Sequence, residues 1–426
     1  MNEHVRELLE QAQGRADSEL DGRLADLDEA AEAAPDAPEV YIARGDCYLD
    51  AGALALAIDE YSYAVELDGE RLEAWRKLAE CEMRRGQWEA AAEALTEAAE
   101  LEPEDASLWQ RLGDVWLAAG EHGRAIGAFE AGMEEDDSLP GLYLGRARAS
   151  LAMDLLEDAA EDVTHLERID PSGSALLLRA QLQLQEGQPE RAVASLGKLL
   201  DRQPAHVEAM RLRGDAQWEL GDIAAAEADY RRSLTEDAED VDTRVAIAEC
   251  RLALGDTLGA VEMAETIAAE VGAEDSGVLE LLARALVAAG RNEEALATIA
   301  RGLASEGDPA PLYLRRGLIH LAAGRKNLAW RDARWAIDAD GEYAEAYALR
   351  GRLALELEGV EEAVADLDAA VALDPELGAA WAWRGRAREL GGDIVEADSN
   401  WAEAEALLDD DDPLRAEVTG WRRQAG

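Results

Sequence analysis

Alanine recurs along this chain at Ala57, Ala91, Ala125, Ala159, Ala192, Ala226, Ala260, Ala295, Ala329, Ala363 and Ala397, with successive spacings of 33 to 35 residues. Twelve residues before each stands another small residue: Gly45, Ala79, Gly113, Ala147, Ala180, Gly214, Ala248, Ala283, Gly317, Gly351 and Gly385. A fixed period of this length means that one supersecondary unit is repeated, each copy burying its apolar face against the next. Between the two marks most units carry a glycine (Gly52, Gly86, Gly120, Gly187, Gly221, Gly255, Gly290, Gly324). Such a residue suits the left-handed conformation that ends a helix. Glu102-Pro103-Glu104-Asp105, Asp170-Pro171, Gln203-Pro204 and Asp374-Pro375 stop one unit and start the next. The unit is therefore a helix hairpin.

Composition agrees with an all-α reading. The 426 residues are 48% hydrophobic and 31% charged, with a single Phe, as long amphipathic helices require. The formal net charge of −52 comes from 93 Asp and Glu against 41 Lys and Arg, and it repels phosphate backbones, which argues against direct nucleic-acid binding. Only Lys77, Lys198 and Lys326 are lysines. Two readings account for an acidic, arginine-rich surface: adaptation to a high-salt cytoplasm, or the compositional bias of a GC-rich genome.

Cys47, Cys81 and Cys250 form neither a CxxC pair nor an even set, so a reducing compartment is expected. The N-terminal Met1-Asn2-Glu3-His4-Val5-Arg6-Glu7 is charged where a signal peptide is apolar, and no run approaches membrane-spanning length. A cytoplasmic protein without membrane insertion is expected.

The order W-x2-L-G-x2-Y, A-x3-F, P defines the tetratricopeptide repeat. Here it reads as Trp109, Leu112, Gly113 and Trp116, then Ala125 and Phe129. A second copy shows Trp75, Leu78, Ala91 and Pro103, and a third Tyr41, Gly45, Tyr48, Ala57, Tyr61 and Ala64. The chain resembles that family over nearly its whole length. The resemblance implies a right-handed superhelical α-solenoid of stacked antiparallel hairpins whose concave groove binds protein segments. Eleven units are expected over 38–411, with a divergent capping hairpin at 1–37 and a capping helix at 412–426 built on Pro413, Leu414, Val418 and Trp421. The run Asp409 to Asp412 before it reads as a solvated loop and helix cap.

One place before the small residue, seven units carry arginine: Arg44, Arg146, Arg179, Arg213, Arg316, Arg350 and Arg384. Sixteen residues later stand Glu60, Asp162, Ser195, Asp229, Asp332, Asp366 and Asn400. The other four units place Leu78, Leu112, Ile247 and Leu282 there, followed by Ala94, Ala128, Met263 and Thr298. Arginine thus goes with a polar partner and aliphatic with an uncharged one. This pattern predicts a structural pair across each hairpin, in which losing one partner of a buried pair costs on the order of 3–5 kcal/mol.

No catalytic or metal site is legible. His4, His122, His165, His206 and His320 have no ligand spacing, and no HExxH, GxGxxG, GxxxxGK[ST] or GxSxG string occurs. His320 reads as a satisfied core histidine and the cysteines as buried thiols. No cofactor is expected.

By analogy with the family, function belongs to the groove. Asp46, Glu80, Asp114, Asp215 and Glu249 fall on groove places, as do Arg148, Arg284, Arg352 and Arg386. Leu144, Leu151, Leu177 and Leu184, with Trp218 beyond and Arg148 among them, form one apolar stretch, and Leu314, Leu318 and Leu321 another. Each is either a docking surface or packing between helices. The expected occupant is an amphipathic protein segment with basic ends and an apolar centre. The lysine and asparagine places of the chaperone-binding relatives and the asparagine ladder of the glycosyltransferase relatives are not found. An adaptor, a peripheral assembly factor for a secretion, pilus or envelope machine, and a regulatory subunit of a separate enzyme all fit.

Overall fold

The computed structural model describes residues 3–15, 20–169, 173–270, 275–305, 307–357, 359–410 and 412–425. The boundary expected at Asp170-Pro171, and Met1, Asn2 and Asp411, lie outside the described residues. Among the described residues there are 25 helices and no strand.

Two compact units divide the chain, residues 1–220 and 221–426. The first opens with α1 (Glu3–Gly14), α2 (Leu20–Ala33), α3 (Pro38–Asp50), α4 (Leu54–Leu67), α5 (Leu72–Arg84) and α6 (Trp88–Leu101). It continues through α7 (Ala106–Ala118), α8 (His122–Glu135), α9 (Pro140–Ala152), α10 (Leu156–Ile169), α11 (Ser174–Gln185), α12 (Pro189–Arg202) and α13 (Val207–Glu219). The second holds α14 (Ile223–Ser233), α15 (Val241–Ala253), α16 (Thr257–Glu270), α17 (Ser276–Ala288), α18 (Asn292–Gly302) and α19 (Ala310–Ala322). It ends with α20 (Lys326–Ala339), α21 (Ala344–Leu357), α22 (Val360–Leu373), α23 (Gly378–Leu390), α24 (Ile394–Leu407) and α25 (Pro413–Ala425). Within each unit consecutive helices pair as hairpins, and each second helix packs on the next first helix.

The helices form where the sequence favours them. In α6 nearly every residue is Ala, Glu or Leu, strong helix formers, and Ala91, Ala92, Leu95, Ala98 and Ala99 make the buried stripe. Pro38, Pro140 and Pro189 sit in the first turn of their helices, where no amide donor is needed. Asp105 caps α7 by accepting from the Ser107 amide.

The hairpin turns need a positive φ, and all eight expected turn glycines have it, Gly86 at 70°. Around Gly86 the Gln87 amide reaches back to the Glu82 carbonyl and the Gly86 amide to Met83, which satisfies the last carbonyls of α5. The turn between α9 and α10 lacks glycine and puts Asp154 at φ 59° instead, a conformation Asp tolerates better than most residues.

The small residue of the first helix exists to admit a large one from the second. A Cβ on Gly45 would stand 2.5 Å from the Tyr61 ring, and one on Gly385 2.5 Å from Trp401. Gly113 makes the same room for Phe129. Tyr61, Phe129 and Trp401 are fully buried. The large residue stands sixteen places after the small one in each case, so a helix-hairpin register and a volume exchange are one feature.

In four repeats the opening aromatic residue ties the hairpin to the turn before it. Nε1 of Trp75, Trp109 and Trp381 donates to the carbonyls of Gly69, Pro103 and Pro375 at 2.8–2.9 Å, and the Tyr41 hydroxyl donates to Pro35. Each bond runs to the turn six residues upstream.

The first and last described helices each pack on the hairpin beside them. Val5, Leu8, Leu9 and Ala12 of α1 join Leu27, Ala30 and Val40 in one cluster, and Val418 of α25 is buried with Trp401, Leu414 and Trp421 alongside. The Asp412 carboxylate accepts from the Leu414 amide at the start of α25.

Candidate functional site

First helices also touch one another: α7 meets α9, α9 meets α11 and α11 meets α13 in the first unit, and α15, α17, α19, α21, α23 and α25 form such a chain in the second. From α7 to α13 and from α15 to α25 the first helices therefore form a continuous face, and side chains on it decide what that face can hold.

The arginines one place before the small residue lie behind this face, between second helices. Arg146 donates to both carboxylate oxygens of Asp162 at 2.9 and 2.7 Å, Arg316 to Asp332 at 3.1 and 2.8 Å, and Arg350 to Asp366 at 2.8 and 2.7 Å. This fork-to-fork geometry is the strong form of the contact. Arg44 lies 3.2 Å from Glu60, and Arg384 donates to Asn400 at 2.9 Å. Asp162 and Asp332 are essentially inaccessible. Asp162 pushes the pKa of Arg146 up against the opposing effect of burial, while burial raises that of Glu60. Arg213 belongs to α13 and the first unit, and Asp229, buried, to α14 and the second.

Arg179 departs from the pattern. It turns to Glu167 and Thr164 on α10, with donor distances of 2.8–3.2 Å, and the Ser195 hydroxyl instead donates to Gln183. A carboxylate is the stronger partner for a guanidinium than a hydroxyl. Sequence reasoning also missed a second acid sixteen residues before the arginine. Asp28 lies 3.4 Å from Arg44, Glu130 3.4 Å from Arg146 and Asp368 2.5 Å from Arg384. These acids come from the preceding hairpin, so the arginine links neighbours as well as its own two helices. The same interval read backwards would have found them. An aromatic three residues earlier completes the setting, with Tyr313 and Tyr347 5.3 and 5.5 Å from the guanidinium carbons of Arg316 and Arg350.

His320 is buried in α19, with Nε2 3.7 Å from Asp332 and Nδ1 without a hydrogen-bond partner. The core position is as expected but the ring is not satisfied, since Nε2 stands beyond hydrogen-bond reach of Asp332 and Nδ1 faces no acceptor or donor. Burial holds its pKa below the usual histidine value. Cys47, Cys81 and Cys250 are free and buried, and burial pushes the Cys81 and Cys250 thiols up to about 11, which leaves them poor nucleophiles. Among the described residues no group of His, Cys, Asp or Glu is arranged to hold a metal ion, and no helix is long and apolar enough to cross a membrane.

The apolar stretch on α9 and α11 is less open than expected. Leu151 is 7% and Leu177 5% exposed, both packed in core clusters, and Leu144 and Leu184 are half-buried. Their methyl groups pack neighbouring hairpins together. What remains is an opening of about 610 Å³ that includes Arg148, Leu151, Gln181, Leu184, Glu208 and Leu212 in its lining. Leu144 and Leu177 do not line it, and Trp218 stands exposed at the end of α13 outside it.

A better-formed pocket of about 450 Å³ lies on the first-helix face of the second unit, across α17, α19, α21 and α23. Leu314, although 7% exposed, and Leu318 line it, while Leu321 packs half-buried with Leu314 and Trp330 and does not. Tyr343, Leu349, Arg315, Arg352 and Trp383 complete much of the wall. Arg315, Leu349 and Trp383 occupy one place of the repeat, two before the small residue. That place was not projected from the sequence, and its spacing was the signal available. Near the N-terminus a third opening, of about 440 Å³, is lined by Glu39, Asp46, Glu70 and Glu73 around Leu9, Ile42 and Leu72, with Arg71, paired to Glu39, as its one basic residue.

Stacked helix hairpins with a continuous first-helix face, and no catalytic constellation on that face among the described residues, define a helical-repeat protein. The family profile described as tetratricopeptide repeat matches residues 24–71, 76–140, 177–241 and 349–413. The chain belongs to the tetratricopeptide repeat family. No curated protein sequence matches it significantly. Similar solved structures include the APC/C hetero-tetramer Cut9–Hcn1, at 13% identity, covering 99% of this chain and 95% of that one with a TM-score of 0.46. The P58(IPK) TPR domain shows 16% identity over 91% of this chain and 98% of its own, TM-score 0.34. A tetratricopeptide repeat protein from Parabacteroides merdae shows 21% over 67% and 99%, TM-score 0.40.

Proposed function

We propose that this protein is a non-catalytic scaffold that grips segments of partner proteins on the concave first-helix faces of its repeats. The observation that carries the reading is the pocket bounded by Leu314, Leu318 and Trp383, where a large apolar side chain would lose its hydration against a prepared apolar wall. The opening at Arg148, Leu151 and Leu184 and the acidic one at Asp46 offer further holds along the first unit. A partner with basic residues suits that acidic end, since opposite charge selects and steers. The unpaired cysteines support a cytoplasmic setting.

The test is site-specific photo-crosslinking in the native organism. A photoreactive residue at position 318 should capture a discrete partner, and one at exposed position 373, at the end of second helix α22, should not. The captured protein, purified, should bind the wild type and lose binding to Leu318→Glu. Equal capture at both positions, or binding that survives Leu318→Glu in a folded protein, would remove the groove from the account.

A further inference from the structure

Four arginines stand at or beside the second unit's pocket, and three are spent on the protein itself. Arg284 donates to Glu249 at 2.6 Å, Arg315 to Glu280 at 2.7 and 3.1 Å, and Arg386 pairs with Glu389. Arg352 is exposed and has no carboxylate within ion-pairing distance. Its guanidinium carbon instead sits 4.4 Å from the Trp383 ring centre. Trp383 is braced in turn by Trp421 of α25 at 5.2 Å, and Arg386 lies 5.6 Å from that ring. In a chain with 93 acids and 41 bases, an arginine beside an apolar pocket that has found no acid is a local reversal of charge.

The stack fixes what Arg352 can do. Lying over an indole, a guanidinium keeps its N–H edge free for a planar, bidentate acceptor. The pocket at its side accepts an apolar group, and Glu345, which also lines it, limits the added negative charge to the Arg352 side. We infer that this pocket takes an acidic segment of a partner protein, with one Leu, Phe or Trp side chain between Leu314, Leu318 and Trp383 and an Asp or Glu, within two residues of it, on Arg352. The inference rests on the groove reading above and reverses, for this unit, the basic-ended occupant expected for the chain. The acidic opening of the first unit carries the opposite preference.

The test uses the full-length protein and a random twelve-residue peptide library displayed on phage, selected in about 0.5 M KCl so that long-range repulsion from the acidic surface is screened. Enriched sequences that bind the wild type and lose binding to Leu318→Glu should carry Asp or Glu within two positions of Leu, Phe or Trp. Synthetic copies should bind Arg352→Gln about tenfold more weakly, the loss of one charge-assisted contact, and reselection on Arg352→Glu should enrich basic residues instead. Circular dichroism verifies that each variant keeps its helices. Groove-binding peptides without the acid, or equal affinity for Arg352→Gln, overturn the inference while Leu318→Glu sensitivity leaves the groove reading intact. Peptides indifferent to both substitutions, or no enrichment at all, overturn the inference, and the crosslinking at position 318 then decides the groove reading separately.

Discussion

Arg316 reaches across its hairpin to hold both oxygens of Asp332, a carboxylate with no exposed surface. Removing either side alone strands a buried group. Asp332→Ala should therefore destabilise the second unit by about 3–5 kcal/mol. Combining it with Arg316→Leu copies the Leu112 and Ala128 arrangement and should recover much of the loss. A double-mutant cycle on denaturant unfolding measures the coupling, and additive losses would show that the contact contributes nothing specific.

His320 shares that environment and responds to pH. Its folded pKa lies below 6.5, chiefly through burial, with Arg316, Arg325 and Arg331 adding to the depression and Asp332 opposing it. The unfolded chain then binds a proton that the folded chain resists, so stability is complete above pH 6.5 and falls as the pH drops below it. Unfolding midpoints of wild type and His320→Gln between pH 7 and pH 5 should diverge, the wild type losing more. Parallel curves would exclude the histidine as the cause.

Gly113 and Phe129 make a second coupled pair. Gly113→Ala drives a methyl group into the Phe129 ring, and overpacking of this kind costs about 1–3 kcal/mol. Adding Phe129→Leu, which copies the Ala79 and Leu95 hairpin, should relieve part of that cost. Thermal melts of the two single variants and the double variant test it, and a double variant no better than Gly113→Ala would point to strain elsewhere in α7.

The net charge of −52 sets a global expectation. Screening shortens from about 10 Å at 0.1 M salt to about 3 Å at 1 M, so self-repulsion should ease and the melting temperature should rise with KCl. Melting in tetramethylammonium chloride at the same ionic strength separates screening from the general effect of salt on apolar surface. A melting temperature that stays flat or falls in KCl would leave compositional bias as the account of the acidity.

What the sequence determined by itself is the hairpin and its internal exchanges. The small residue, its large partner sixteen places on and the Arg–acid pairs such as Arg146 with Asp162 involve helices joined by one short turn, so spacing alone specifies which side chains meet. The tertiary structure decided what depends on how one hairpin stacks on the next. Arg179 left Ser195 for Glu167, because a carboxylate brought close by stacking outbids a hydroxyl in register, and Arg384 added Asp368 of the preceding hairpin to the Asn400 contact it kept. The pocket arose the same way. Leu151 and Leu177 are as apolar as Leu318, but their surface is consumed by neighbouring hairpins, whereas four successive first helices leave Leu318, Arg352 and Trp383 around an open space. Leu177 and Leu314 share one place of the repeat and are about equally buried, whereas Leu318 stands four places further along its helix, and the packing of successive hairpins decides which of these places stays open.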